Sequence, residues 1–146
     1  MKFISTRGND IAFSIDEVFV KGIANDGGLY LPETLPRFEL TQFRKDSTIL
    51  DTARILLTPF FENSSIADSM DSIVHESLSF PIPSVRIPNN KNCWLLELFH
   101  GPTAAFKDIG ARFLASCLSR LDKDQENPLL ILVATSGDTG GAVASA

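Results

Sequence analysis

Cysteine, histidine and clustered basic residues are scarce in this chain of 146 residues. The two cysteines, Cys93 and Cys117, lie far apart and form no CxxC pair, which argues against a disulfide framework and predicts two reduced thiols, one in a strand and one on a buried helix face. His75 and His100 have no second ligand at helical spacing, so we expect no metal site. The basic residues are scattered and the net charge is −5, which argues against nucleic-acid binding.

Long apolar runs and a secretory leader are also missing. No apolar run approaches the length needed to cross a bilayer, and Met1 is not followed by a hydrophobic secretory core. We therefore expect no membrane association and a cytoplasmic location. What is present is a globular composition, with 44% hydrophobic and 21% charged residues in a length typical of one domain.

Helical periodicity dominates the first half of the chain. Ser14 and Glu17 have the spacing of a capping box ahead of an amphipathic helix. Ser47 precedes a predicted helix from Thr48 to about Phe60. Ser65 is predicted to open another helix, with one apolar side formed by Ile66, Met70, Ile73 and Val74.

Two closely spaced prolines in Phe80–Pro83 prevent a helix from continuing through this segment. We therefore predict a helical amino-terminal module over residues 1–80 and the start of a second domain over residues 81–146. Between Val85 and Phe99, two extended apolar pieces flank the polar turn Asn89–Asn92, a pattern that predicts a hairpin or two strands.

The most informative residue is Lys107, in the segment HGPTAAFKD over residues 100–108. Thr103 is a predicted N-cap, which places Lys107 in or next to the first turn of a helix. The helical repeat that supports this prediction consists of Phe106, Ile109, Phe113, Cys117 and Leu121. A helix N-terminus and apolar cover from Phe106 both disfavour a protonated amine, and a neutral lysine amine forms Schiff bases.

Residues 128–146, PLLILVATSGDTGGAVASA, predict a strand, a turn and a helix start. The apolar run Leu129–Ala134 is typical of a strand buried on both faces. The loop that follows offers an anion the donors of a helix N-terminus. These are the backbone N–H groups of Gly137, Asp138, Thr139 and Gly140 and the hydroxyls of Ser136 and Thr139. The alternative is an ordinary turn that Asp138 or Thr139 caps.

These motifs resemble the threonine synthases, pyridoxal-phosphate enzymes of the tryptophan-synthase-beta-like fold (fold type II). HGPTAAFKD is similar to the lysine signature of that family, STRG and GIANDGGLYLP to its amino-terminal segment, and SGDTG to its substrate-carboxylate loop. The resemblance implies an α/β fold and a cofactor bound covalently as a Schiff base on Lys107. It implies substrate binding by Ser136, Gly137, Thr139 and Gly140. It places Asp138 beside the cofactor, where many relatives have asparagine.

The implied reaction converts O-phosphohomoserine and water to threonine and phosphate, with Lys107 moving protons at the substrate. The predicted helix start Gly140–Ala146 carries no stop signal, and the glycine-rich phosphate cradle of the family is not found. We therefore expect an amino-terminal portion of an enzyme, which by itself is inactive and binds pyridoxal phosphate weakly. The sequence leaves the oligomeric state open.

Three alternatives stay open. A related phospho-lyase or a serine/threonine dehydratase would share the lysine and the loop. An alternative from another functional class is a catalytically inert folding or interaction module. A nucleotide-binding protein that uses SGDTGG as its phosphate loop is disfavoured, because no Gly-Lys-Ser/Thr follows.

Overall fold

The computed structural model describes residues 1–121 and 129–146, and its mixed α/β architecture agrees with the predicted class. The helices in these ranges are α1 Ile15–Lys21, α2 Ile49–Phe61, α3 Met70–Ser77, α4 Lys107–Leu121 and α5 Asp138–Ser145. Short 3-10 turns lie at Leu40–Gln42 and Ala67–Ser69. None of the described helices is long and apolar enough to cross a membrane.

Two small antiparallel sheets accompany the helices. The strands are β1 Phe3–Ser5, β2 Ile11–Ala12, β3 Tyr30–Pro32, β4 Ser84–Arg86 and β5 Trp94–Leu96. The first sheet has the order β2-β1-β3, with Ile4 opposite Leu31, and the second is a β4-β5 hairpin, with Val85 opposite Leu95. The predicted hairpin is therefore confirmed. Cys93 precedes β5 and does not lie in a strand, contrary to the prediction.

The STRG and NDGG segments hold each other in place at the first sheet. The Asp26 carboxylate accepts hydrogen bonds from Ser5 Oγ at 2.6 Å and from the Gly28 N–H at 2.9 Å. The Ser5 hydroxyl is the main reason that the pKa of Asp26 is below its usual value. A Cβ at position 28 would lie 2.1 Å from Ser5 Oγ, so only glycine fits there. The geometry indicates that this segment serves packing of the first sheet.

Local capping explains where the helices begin. Ser14 caps α1 by accepting a hydrogen bond from the Glu17 N–H at 3.2 Å, as its spacing predicts. The cap of α2 is Thr48, which shares a capping box with Asp51, so this helix begins one residue later than predicted. Helix α3 begins only at Met70, because a 3-10 turn occupies the chain after Ser65.

The core is formed by α1 to α4 around Phe61, which is 2% exposed. Its ring lies 5.9 Å from that of Phe19 in α1 and 6.0 Å, edge to face, from that of Phe113 in α4. The other buried members are Ile66, Met70, Ile73, Val74 and Cys117. The apolar side predicted for residues 66–74 and the buried position of Cys117 are thus confirmed. Helix α4 shares this core although the predicted domain boundary precedes it.

The predicted strand Leu129–Ala134 is wrong for the described structure. Residues 129–135 form no strand and no described strand pairs with them. Their apolar side chains are largely exposed, reaching 85% at Leu132. An apolar run becomes a buried strand only where neighbouring strands supply its backbone hydrogen bonds, and the described structure provides none. Pro128, with which the predicted segment begins, lies outside the described residues.

Candidate active site

A folded loop leads from β5 to the lysine helix. His100 Nε2 lies 2.7 Å from Glu97 Oε2, and its ring lies 4.7 Å from that of Phe99. Further along, Thr103 donates from its N–H to Asp108 Oδ2 at 2.9 Å and from its hydroxyl to Asp108 Oδ1 at 2.5 Å. The loop is therefore tied down at both ends by carboxylates, and His100 takes part in shaping it.

Lys107 is the first residue of α4, as the helical repeat predicts. The predicted N-cap, Thr103, is wrong: the helix begins four residues after it, and its hydroxyl serves the buried Asp108 side chain. The apolar cover expected from Phe106 is incomplete, because that ring is 62% exposed and lies with its centroid 4.9 Å from Lys107 Nζ. An aromatic face at this distance is a partner for a cation.

The SGDTG loop begins α5, with Gly137 as the N-cap at a φ of 139° that few other residues adopt. The capping hydroxyl belongs to Thr135, which accepts hydrogen bonds from the N–H groups of Gly137 at 3.2 Å and Gly140 at 2.9 Å. Neither Asp138 nor Thr139 caps the helix, so that alternative is wrong. Two of the four backbone N–H groups predicted as anion donors, those of Gly137 and Gly140, are thus already used within the loop.

The structure brings the two motifs together. Lys107 Nζ lies 3.6 Å from Asp138 Oδ2, with the lysine side chain 30% exposed and the aspartate 78% exposed. The N–H groups of Asp138 and Thr139 have no partner among the described residues and remain available as donors. A primary amine, a carboxylate and free amide donors therefore share one surface, an arrangement suited to an anionic substrate with a carbonyl group to condense.

Two residues that complete this arrangement were not predicted from the sequence. Thr135 caps α5, and a hydroxyl residue shortly before the Ser-Gly pair was a usable signal for it. Asp108 is 1% exposed, and its position directly after Lys107 in the first turn was the signal for it.

Metal-ligating clusters and the Cys117 thiol are two other kinds of reactive group that can be compared with Lys107. Within residues 1–121 and 129–146, no group of three or more histidine, cysteine or acidic side chains is arranged to hold a metal ion. Burial raises the pKa of the Cys117 thiol to about 12, so this group stays a neutral thiol at ordinary pH.

Comparison with known families identifies the chain. Residues 2–78 match the family model described as threonine synthase N terminus. The chain belongs to the threonine synthase family. Threonine synthase of Pseudomonas aeruginosa is 37% identical over 97% of this chain, and that of Escherichia coli is 36% identical over 100% of it.

Solved structures of the family share the fold. The crystal structure of threonine synthase with bound pyridoxal phosphate from Brucella melitensis matches this chain with a TM-score of 0.88 and 36% identity. The match covers 99% of this chain and 32% of the Brucella melitensis chain. The crystal structure of Escherichia coli threonine synthase matches with a TM-score of 0.83 and 35% identity, over 99% of this chain and 33% of the Escherichia coli chain. The chain spans about a third of the threonine synthases that it matches and corresponds to their amino-terminal part.

Proposed function

We propose that this chain is the amino-terminal part of a threonine synthase in which Lys107 binds pyridoxal phosphate covalently. The observation that carries the proposal is the distance of 3.6 Å between the Lys107 amine, at the start of α4, and the Asp138 carboxylate of the SGDTG loop. Family membership supports it, as does the pyridoxal phosphate in the related Brucella melitensis structure. The fold type II architecture and the division into residues 1–80 and 81–146 belong to the same proposal.

The described residues fit the aldehyde group of pyridoxal phosphate. Lys107 supplies a partly exposed primary amine on a helix that Phe113 and Cys117 anchor in the core. Such an amine condenses with an aldehyde. The bound cofactor supplies an electron sink for carbanions of the substrate. In this proposal the described residues hold the aldehyde end, and no residue is assigned to the phosphate or the ring nitrogen.

The SGDTG loop is proposed to hold the substrate carboxylate. The free N–H groups of Asp138 and Thr139 and the hydroxyls of Ser136 and Thr139 are the donors for this role. Gly137 and Gly140 act through backbone shape, because their own N–H groups bond to Thr135. A Cβ at position 140 would lie 2.9 Å from the Thr135 hydroxyl oxygen, so glycine keeps this cap in place.

Asp138 carries a second part of the proposal. An ionised aspartate would repel a substrate carboxylate if it faced the same donors. Its carboxylate lies 3.6 Å from the Lys107 amine, the group proposed to carry the cofactor. We assign it a place beside the cofactor for that reason.

The proposed substrate is O-phosphohomoserine, converted with water to threonine and phosphate. With its amine free, Lys107 would move protons at the substrate α carbon. Residues 1–146 alone are expected to release no phosphate from this substrate, because no anion site for the cofactor phosphate is assigned within them.

Borohydride reduction of the full-length holoenzyme, followed by peptide mass spectrometry, tests the cofactor assignment. We expect the pyridoxyl label on Lys107, and we expect Lys107→Ala to remove both the cofactor absorbance and turnover. The control is Lys45→Ala, which changes an exposed lysine in the loop before α2 and keeps both. Label on Lys45 or another lysine contradicts the proposal.

Product analysis separates threonine synthase from its relatives. Equal amounts of phosphate and threonine from O-phosphohomoserine support the proposal. Phosphate release without threonine identifies a different phospho-lyase, and deamination of serine or threonine as the main reaction identifies a dehydratase.

A further inference from the structure

Asp108 is the only charged residue among the fully buried residues of ranges 1–121 and 129–146, at 1% exposure. A buried carboxylate is costly unless donors satisfy it. Both of its hydrogen bonds come from Thr103, and no basic side chain pairs with it in the described structure. As the second residue of α4 it also lies at the helix end that favours negative charge. These contacts hold a buried carboxyl group at the position directly after Lys107.

The loop before Lys107 closes tightly onto this carboxylate. A Cβ at position 101 would lie 2.4 Å from Asp108 Oδ2, so the backbone of Gly101 approaches closer than any other residue allows. The chain then reverses at Ala104, which has a φ of 56°. The Asp108 N–H completes the turn by donating to the Ala105 carbonyl at 3.0 Å. Residues 101–108 thus form one turn built around the Asp108 side chain.

We infer that Asp108 is a positioning residue for Lys107, an inference that rests on the proposed cofactor role of that lysine. Lys107 lies between the turn at residues 101–106 and Asp108, so the two hydrogen bonds to Thr103 determine where its backbone leaves the loop and enters α4. The core determines the position of the rest of α4 through Phe113. Both constraints together determine where the amine lies relative to the SGDTG loop. A displacement of about 1 Å from a reactive geometry lowers the reaction rate strongly, so a loss of either constraint should slow the reaction.

The test uses the full-length holoenzyme with the Asp108→Asn substitution, which keeps the shape of the side chain and removes its charge. We expect kcat to fall about tenfold to a hundredfold while KM for O-phosphohomoserine stays within about threefold. We also expect a smaller pyridoxyl label on Lys107 after borohydride reduction and faster hydrogen exchange in the peptide covering residues 101–109.

The matched control is Asp16→Asn. Asp16 in α1 also accepts hydrogen bonds from a hydroxyl and a backbone N–H, those of Ser64 and Ser65, but it lies far from Lys107 in sequence and takes no part in its loop. This variant should keep the label and kcat of the wild type. If Asp16→Asn loses as much label and kcat as Asp108→Asn, the effect is one of general stability and the inference is wrong.

A second pair of variants serves if Asp108→Asn does not fold. Thr103→Val removes the hydroxyl donor and keeps the carboxylate, so it should lower kcat and the Lys107 label, whereas Thr103→Ser retains the donor and should restore both. Wild-type label and kcat in Asp108→Asn or in Thr103→Val overturn the inference. Wild-type enzyme labelled on a different lysine overturns the proposed function instead, before any variant is compared.

Discussion

The helical core around Phe61 and the extended segment at residues 129–135 are both rich in apolar side chains, yet only the first is buried. Ile73 in the core is fully buried, whereas Leu132 in the segment is 85% exposed. Leu129 and Ile131 line an open groove together with Ala115 and Leu118 of α4, and the segment has no partner strand in the described structure. Apolar content alone therefore does not decide burial in this chain.

The difference comes from where each element finds its hydrogen bonds. A helix satisfies its backbone internally, so α1 to α4 need only matching apolar faces to pack. A strand in the centre of a sheet needs a neighbour on each edge before its side chains can be buried. The same contrast appears at the site. Lys107 belongs to a helix that packs in the core and its side chain is 30% exposed, whereas the loop before α5 is largely exposed.

The largest effect should come from truncating the core. Phe61→Ala removes the ring between Phe19 and Phe113 and is expected to cost about 3–5 kcal/mol of unfolding free energy. Leu132→Ala makes a similar truncation in the exposed segment and should change stability by less than about 0.5 kcal/mol. Urea unfolding followed by circular dichroism measures both. A loss above about 2 kcal/mol for Leu132→Ala, in the range of buried leucine truncations, would mean that the segment is buried after all.

An intermediate effect is expected where the exposed segment meets α5. Thr135→Val removes the hydroxyl that accepts from the Gly137 and Gly140 N–H groups and should cost about 0.5–2 kcal/mol. Thr139→Val alters a hydroxyl residue that caps nothing, so its stability should stay near that of the wild type. Thermal unfolding compares the two variants, and a larger loss for Thr139→Val would contradict the observed cap.

The smallest effect lies at the edge of the core, where Glu76 of α3 accepts hydrogen bonds from Arg120 and Ser116 of α4. These contacts lower the pKa of Glu76 from 4.5 to about 2. Its stabilising contribution is therefore complete above the unfolded pKa and is lost as the pH falls from about 4.5 towards 2. Because its side chain is 51% exposed, we expect less than about 1 kcal/mol.

Unfolding midpoints measured between pH 6 and pH 2 test this last expectation. Glu76→Gln should flatten the decline in that range, and Glu62→Gln, at an exposed position directly after α2, should leave it unchanged. Parallel declines for Glu76→Gln and the wild type would show that the contact with Arg120 adds nothing.

Much of the helical region could be predicted from local patterns, because caps and periodicity act over a few residues. Ser14 and Glu17 marked the start of α1, and the repeat through Phe113 and Cys117 marked the buried face of α4. The partners of polar side chains could not be predicted this way. Thr103 is a residue type common at N-caps, but its hydroxyl donates to Asp108 instead. Thr135 caps α5 although Asp138 and Thr139 lie nearer the helix start.

The sequence by itself determined the family, the helices of the core and Lys107 as the residue of interest, because motifs and helical periods are local properties of the chain. Only the tertiary structure decided that Lys107 meets Asp138 and that Asp108 is buried beneath the loop. Both depend on how α4 packs against the core and against α5. Contacts between residues far apart in the chain follow from packing, which no local pattern records.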